Sequence, residues 1–173
     1  DMTNWVLGSH PLKAIGVSGR KVRRDPGNIQ DNWSVSYTYP GDVHISLSAV
    51  QFAEFWDVGV RYIGDKGIGE SNYNGFARIT GDQAWSSALV KGGGDFSTAG
   101  TFNGLGNADA KKAIKFIDSI VSGNYHNQAR EGGESALSAI LGRMAAYEGR
   151  EVTWDDMIKS KQSYKDEIDL TKL

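Results

Sequence analysis

Apolar and polar residues alternate with a period of two through much of the first half of the chain. Residues 33–39, with the sequence WSVSYTY, and residues 43–49, with the sequence VHISLSA, place an apolar side chain at every second position. Because successive side chains of a β-strand point to opposite faces, both runs predict half-buried strands. The turn sequence PGD lies between them, so the whole segment predicts an antiparallel hairpin.

Three further stretches favour strands. Residues 12–17 form a short apolar run, residues 57–63 and 68–80 lie on either side of the turn sequence GDKG, and residues 85–90 suit an edge strand. The glycines of GDKG, residues 64–67, do not have the GxGxxG spacing of a phosphate-binding loop, and no helix is predicted directly after them. We therefore interpret residues 64–67 as a hairpin turn.

The spacing of apolar residues becomes helical in the second half of the chain. Apolar residues recur every three or four positions through residues 110–121 and again through residues 137–144. Gly123 and Gly149 lie where these two helices would end, which is a common place for glycine. Residues 153–156, with the sequence TWDD, resemble a capping box that begins a third, short helix.

A chain in which strands come first and helices follow predicts an α+β fold. We expect a single domain over residues 1–173, with an open, largely antiparallel mixed sheet and helices packed on one face. The apolar residues of the central hairpin would then not all lie beneath the helices. We expect the open sheet face to be buried in a homo-oligomer for that reason. The hairpin residues concerned are Trp33, Val35, Tyr37, Val43, Ile45 and Leu47.

Composition excludes several classes of function. The 19 lysines and arginines are balanced by 21 aspartates and glutamates, so no basic surface for nucleic acid is predicted. The absence of cysteine excludes disulfides, thiolate nucleophiles and cysteine-ligated metals. The three histidines form no HExxH motif, so no metal site is expected. No apolar stretch reaches the roughly 20 residues of a membrane span, which predicts a soluble protein of the cytoplasm or the periplasm.

Two segments carry side chains suited to a polyhydroxylated ligand. Residues 124–130, with the sequence NYHNQAR, place several kinds of hydrogen-bonding group before a predicted helix. Glu54, Phe55 and Trp56 combine an acid with two aromatic rings. Each segment has a structural alternative, because polar residues also satisfy backbone groups at a helix entry and aromatic residues also complete a core at a strand end.

Two charged groups are open to two interpretations. The basic run KVRR, residues 21–24, fits either a phosphate contact or a solvated loop. Glu131 and Glu134, one turn apart at a predicted helix start, suit either the helix dipole or general acid–base chemistry.

Several motifs resemble one protein family over nearly the whole chain. They are residues 126–137, HNQAREGGESAL; residues 141–147, LGRMAAY; residues 149–154, GREVTW; residues 4–11, NWVLGSHP; and residues 77–82, ARITGD. These segments resemble the C-terminal domain of the glucose-fructose oxidoreductase, inositol dehydrogenase and MocA family. Members of that family join a dinucleotide-binding Rossmann domain to a C-terminal domain, whose open sheet helps to form the substrate site and the subunit interface.

The resemblance implies that this chain supplies one part of such an enzyme. It contains no strand-GxGxxG-helix unit and no counterpart of the family's catalytic lysine in a Glu-Lys-Pro motif. A second catalytic motif of the family has an aspartate, three residues, a histidine, two residues and a final aspartate, which Asp1 matches. We therefore expect the motif's histidine and the Rossmann domain to lie outside this chain, and the chain alone to be inactive.

The activity implied for the intact protein is hydride transfer between NAD or NADP and a sugar or cyclitol hydroxyl, with no cofactor bound by this chain. The resemblance places Glu54, Trp56, His126 and Asn127 at the substrate, and Asp1 at the catalytic motif. Two alternatives are an NAD-dependent glycosidase of the same family and a stand-alone binding or structural module. The expected partners are the Rossmann domain, a sugar-like small molecule and further copies of the chain, without nucleic acid or membrane.

Overall fold

The structure is a computed structural model that describes residues 1–24, 27–54, 58–72, 76–86 and 103–163. The chain divides into two compact units. The first unit is formed by residues 1–52 and 128–173, and the second by residues 53–127. The chain therefore leaves the first unit after three strands of its sheet. It returns to this unit for the fourth strand and the last two helices.

A four-stranded antiparallel sheet forms the base of the first unit. Its strands are Lys13–Gly19 (β1), Asn32–Tyr39 (β2), Val43–Val50 (β3) and Val152–Thr153 (β8). They lie in the order β3-β2-β1-β8. Strands β2 and β3 form the predicted hairpin, with Tyr39 paired to Val43 across the turn. The alternation of residues 33–49 therefore predicted this part of the fold correctly.

The pairing of β2 with β3 places all six apolar hairpin residues on the same face of the sheet. Val35 lies opposite Leu47, and Tyr37 lies opposite Ile45. Directly paired residues share a face, so the expectation that these apolar residues divide between two faces is wrong. The other face carries serines, with Ser36 paired to Ser46, and the apolar side chain of Val17.

One long helix packs on part of the apolar face of this sheet, whereas Val43 and Leu47 of β3 stay exposed. Helix α3, Ala129–Glu148, packs on β1 and β2. The buried core consists of Ala14, Val35, Tyr37, Tyr39, Leu141, Met144, Ala145, Ala146, Val152 and Met157. A fully buried side chain such as Leu141 contributes about 2 kcal/mol by leaving water, so the contact between helix and sheet stabilises this unit.

Two short helices complete the first unit. Helix α1, Met2–Leu7, ends at Gly8, whose φ of 63° is the left-handed conformation that glycine favours. Helix α4, Trp154–Lys159, begins with the predicted capping box, in which Thr153 and Asp156 bind each other's main chain and side chain. The ring of His10 stacks on the ring of Trp154 at a centroid distance of 3.8 Å. The short helix that the sequence TWDD predicted is thus confirmed.

The second unit contains another four-stranded antiparallel sheet and a helix. The strands are Gly59–Gly64 (β4), Gly67–Asn72 (β5), Phe76–Gly81 (β6) and Trp85–Ser86 (β7), in the order β4-β5-β6-β7. Gly64 pairs with Gly67, so GDKG is a two-residue hairpin turn as predicted. Helix α2 spans Asn103–Ser122. Of the predicted edge strand, residues 87–90 lie outside the described part of the chain.

The fold class is α+β, as the order of strands and helices predicted. Every strand pairing in the described residues is antiparallel, and the strands lie in two sheets. Within the same residues, no helix combines the length and apolar character that crossing a bilayer requires.

Candidate functional site

Asp1 is the N-cap residue of α1 and is exposed. Its main-chain oxygen accepts a hydrogen bond of 3.0 Å from the amide of Trp5, which starts the helix. Its side chain makes no capping hydrogen bond to α1. The carboxylate is therefore not engaged in capping its own helix, although aspartate commonly serves that purpose at this position.

A chain of hydrogen bonds fixes α1 to the sheet and to α3. The hydroxyl of Tyr39 donates to Oδ1 of Asn4 at 2.7 Å, and Nδ2 of Asn4 donates to Oγ of Ser138 at 2.9 Å. The hydroxyl of Ser138 then donates to the main-chain oxygen of Glu134 at 2.8 Å. We call these four residues the Asn4 network. It joins three elements that are far apart in the sequence.

The remaining surface of α1 is apolar and exposed. Trp5 is 81% exposed, and Met2 and Val6 are about half exposed, whereas Leu7 packs against the core. Met2, Trp5 and Val6 have the three- and four-residue spacing of a single helix face. The helix therefore presents its bulky residues outward from the first unit and is held by Asn4 and Leu7 on its other side.

Three of the four predicted substrate residues lie in the part of the chain that the structure describes. Glu54 is exposed, and Trp56 lies outside the described residues. His126 and Asn127 are exposed in the segment that joins α2 to α3. Glu54, His126 and Asn127 belong to the second unit, whereas Asp1 belongs to the first. Their roles at the substrate stay predictions.

The beginning of α3 bears on two open questions from the sequence. The N-cap residue is Gln128, whose side chain makes no capping hydrogen bond, so this residue of the polar loop does not serve as a side-chain cap. Glu134 accepts a hydrogen bond of 2.9 Å from Nε of Arg130 one turn earlier. This hydrogen bond raises the pKa of Arg130. An ion pair within the helix accounts for Glu134 without acid–base chemistry.

The basic run at residues 21–24 surrounds a buried carboxylate that the sequence analysis missed. Asp31 is fully buried, and the amides of Lys21, Val22 and Arg23 donate to it at 2.8 to 3.0 Å. Successive amides that converge in this way form an anion-binding nest. Because Asp31 occupies the nest, the main chain of this loop is not available to a phosphate. A lone aspartate before a predicted strand gave little sign of this role.

The environment of Asp31 strongly favours its charged form. Burial raises the pKa of the carboxyl, but the hydrogen bonds from the loop amides and from the side chain of Asn32 lower it by more. The pKa consequently lies well below the ordinary value of an aspartate. The charge therefore has a structural role, which is to hold the loop between β1 and β2.

An ion cluster on the second sheet was also not foreseen. Glu70 on β5 accepts hydrogen bonds from Nε of Arg61 on β4 at 2.6 Å and from Nε of Arg78 on β6 at 2.7 Å. The hydrogen bonds from Arg78 and Arg61 hold the pKa of Glu70 below its ordinary value, although burial acts in the opposite direction. The three residues are cross-strand neighbours, so the cluster ties three strands together.

The described strands do not form the parallel unit of a Rossmann domain. A Rossmann site needs a parallel βαβ unit with a glycine-rich turn at a helix N-terminus, whereas the described strands pair antiparallel and GDKG joins two of them. The nest at residues 21–23 already holds Asp31. Among the same residues, no three histidine or acidic side chains are grouped closely enough to hold a metal ion.

Comparison with known proteins identifies solved structures with a similar fold but does not identify a family. No protein-family model matches the sequence, and no curated protein is significantly similar to it. Among solved structures, the chain is similar to a Thermotoga maritima protein provisionally classed as an oxidoreductase, with a TM-score of 0.58 and 18% identity. It is also similar to the aldose-aldose oxidoreductase of Caulobacter crescentus, with a TM-score of 0.59 and 17% identity.

Both similarities extend over 87% of this chain but over less than half of the other proteins. The chain spans 42% of the Thermotoga protein and 43% of the Caulobacter enzyme. The chain therefore shares the fold of one part of each oxidoreductase.

Proposed function

We propose that the chain is the substrate-binding and oligomerisation domain of a nicotinamide-dependent oxidoreductase that acts on a sugar or cyclitol hydroxyl. The observation that carries the proposal is the structural similarity to parts of two oxidoreductases, one of which acts on aldoses. The motifs that resemble the glucose-fructose oxidoreductase, inositol dehydrogenase and MocA family support it independently, because they are features of the sequence and not of the fold.

The proposal assigns NAD or NADP to a separate, dinucleotide-binding domain. Two findings support the assignment of the cofactor to a separate domain. The chain matches less than half of each similar oxidoreductase, and its described strands do not form the parallel βαβ unit of a Rossmann domain. The nicotinamide would supply the hydride chemistry, and this chain would supply one wall of the substrate site.

We assign Asp1 to the catalytic motif and Glu54, Trp56, His126 and Asn127 to substrate binding. Asp1 is exposed and its carboxylate does not cap α1, so it is accessible to a group from outside the unit. The exposure of Glu54, His126 and Asn127 is compatible with hydrogen bonds to sugar hydroxyls.

We also propose that the chain forms a homo-oligomer through the open face of the first sheet. This face carries paired serines together with Ile15 and Val17, which are more than half exposed. Small side chains allow a second sheet to approach closely, and the two aliphatic residues would lose water on contact. The face opposite α3 is thus suited to a second copy of itself.

The test is an activity assay on the protein expressed from the complete reading frame that encodes this chain. NAD and NADP are each offered with a panel of aldoses and cyclitols, and formation of reduced cofactor is followed by absorbance. We expect reduction with at least one sugar, and a loss of about 100-fold or more in kcat for the Asp1→Ala variant. The matched control is Asp42→Ala, an exposed aspartate in the hairpin of the same unit, which should retain full activity.

Two results would contradict the proposal. One is the absence of cofactor reduction with every polyol in the panel, and the other is equal activity of the Asp1→Ala variant and the wild type. Release of sugar from an aryl glycoside in the presence of NAD, without net formation of reduced cofactor, would instead favour the glycosidase alternative.

A further inference from the structure

We infer that Asn4 is a positioning residue, which sets the orientation of the helix that carries Asp1 and thereby the rate of the chemical step. This inference rests on the proposed function, in which Asp1 belongs to the catalytic motif. Asn4 itself is not assigned any contact with substrate.

Both ends of the Asn4 amide are used in the Asn4 network. Its oxygen accepts from Tyr39, and its nitrogen donates to Ser138. Tyr39 and Ser138 are buried, so water cannot readily replace Asn4 as their partner. An alanine at position 4 would remove the acceptor that Asn4 offers to the Tyr39 hydroxyl and the donor that it offers to Ser138. The network is therefore specific for a side chain that both donates and accepts.

Asn4 and Leu7 both attach α1 to the rest of the first unit. The bulkiest residue of the helix, Trp5, is almost fully exposed, and Leu7 is the residue that packs on the core. Two side-chain hydrogen bonds to buried partners therefore connect α1 to β2 and to α3.

The main chain of Asn4 also fixes the end of the helix. Its carbonyl oxygen accepts hydrogen bonds from the amide of Gly8 and from the amide of Ser9, the latter at 3.2 Å. Asp1 lies three residues earlier, which is about 4.5 Å along the helix axis. A shift or rotation of α1 at Asn4 would therefore move Asp1 by a comparable amount. Misplacement of a catalytic group by 1 Å costs up to about 100-fold in rate.

The experiment compares Asn4→Ala with wild type in the protein expressed from the complete reading frame. Hydrogen exchange is measured by mass spectrometry on the peptide that covers residues 2–8, and kcat and KM are measured with the best sugar from the panel. We expect exchange about tenfold faster, kcat lower by about tenfold or more, and KM within about twofold of wild type.

Three further variants separate positioning from a general loss of stability. Ser138→Ala and Tyr39→Phe each break one bond of the Asn4 network and should each reproduce part of the loss in kcat. Asn4→Ala combined with Ser138→Ala should lose no more than Asn4→Ala alone, because both act through the same bond. Ser18→Ala removes a partly buried hydrogen bond, which the Ser18 hydroxyl donates to the carbonyl oxygen of Ala146 in the same unit. This variant should lower stability without changing kcat.

The outcomes are distinct. If residues 2–8 of Asn4→Ala exchange at the wild-type rate, Asn4 does not anchor α1. If they exchange faster but kcat equals that of the wild type, the anchor has no effect on catalysis. An equal loss of kcat in Ser18→Ala assigns the effect to stability and also overturns the inference. If the wild-type protein reduces neither cofactor with any polyol, the proposed function fails and with it the link to catalysis. The exchange measurement then still decides whether Asn4 anchors α1.

Discussion

The aromatic ring of Tyr37 lies directly against the backbone of Gly142, where β2 passes beneath α3. A β-carbon at position 142 would come within 2.6 Å of Cζ of Tyr37 and within 3.1 Å of its Cε1. Such distances are shorter than any ordinary van der Waals contact, so the two elements can approach only because residue 142 is glycine. This contact sets the spacing between helix and sheet in the core of the first unit.

Substitution of Gly142 by alanine should therefore destabilise the protein. The added methyl group forces the helix or the tyrosine to move, and overpacking of this kind costs about 1 to 3 kcal/mol. The free energy of unfolding from urea denaturation measures the loss. Gly133→Ala in the same helix is the control, because nothing lies within 4 Å of a β-carbon there.

The control should change in the opposite direction. Alanine favours a helix over glycine by up to about 1 kcal/mol, so Gly133→Ala should be more stable than the wild type. Equal effects of the two substitutions would show that Tyr37 does not restrict position 142. Partial recovery of Gly142→Ala by Tyr37→Leu would identify the ring as the obstacle.

Loss of the carboxylate at position 31 should open the loop between β1 and β2. Asparagine has one acceptor oxygen and places an amide group against amides that donate, so Asp31→Asn should lower Tm by about 5 °C or more. Asp42→Asn, at an exposed position in the same sheet, is the control and should change Tm by no more than about 1 °C. Differential scanning calorimetry provides the comparison.

The same carboxylate makes stability depend on pH in a defined direction. The pKa of Asp31 is lower in the folded than in the unfolded protein, so its contribution is complete above the unfolded pKa of about 3.9 and is lost as the pH falls below it. Between about pH 5 and pH 2.5 the wild type should therefore lose more stability than Asp31→Asn does. Parallel pH profiles for the two proteins would rule out this role of Asp31.

The cluster around Glu70 should hold the second sheet together. The carboxylate is about 10% exposed and bridges two arginines, so Glu70→Gln leaves both guanidinium groups without their negative partner. Amides of β5 should then exchange about tenfold faster with solvent. The control is Asp65→Asn in the hairpin turn of the same sheet, and equal exchange in the two variants would contradict the role of the cluster.

A charge on the open face of the first sheet should prevent self-association. Val17 is 64% exposed on that face, and an aspartate there would be buried without a partner in a dimer. Multi-angle light scattering should give an oligomeric mass for the wild type and a monomeric mass for Val17→Asp. Val22→Asp, in the neighbouring loop, should retain the wild-type mass. A monomeric wild type at high concentration would exclude this interface.

The sequence allowed the local features of the fold to be predicted because each depends on neighbouring residues. The hairpin of residues 33–49 follows from alternation and a turn, and the GDKG turn from its glycines. The capping box at Thr153 follows from the spacing of two side chains, and the end of α3 from Gly149. In each case, residues within a few positions of one another decide the structure.

The features that were missed depend on contacts between distant parts of the chain. Asn4 and Ser138 are 134 residues apart, and no local pattern connects them. The expected division of the hairpin's apolar residues between two faces was wrong because the register of β2 against β3 decides which residues share a face. The nest around Asp31 likewise forms only when the loop after β1 folds back over the start of β2.

The most direct measurement of the central claim is a calorimetric titration with NADH and NADPH. It is carried out on the 173-residue chain and on the protein expressed from its complete reading frame. We expect micromolar binding of one cofactor to the complete protein and no detectable binding to the 173-residue chain. Micromolar binding to the 173-residue chain, or no binding of either cofactor to the complete protein, would contradict the claim that this chain is one part of a nicotinamide-dependent oxidoreductase.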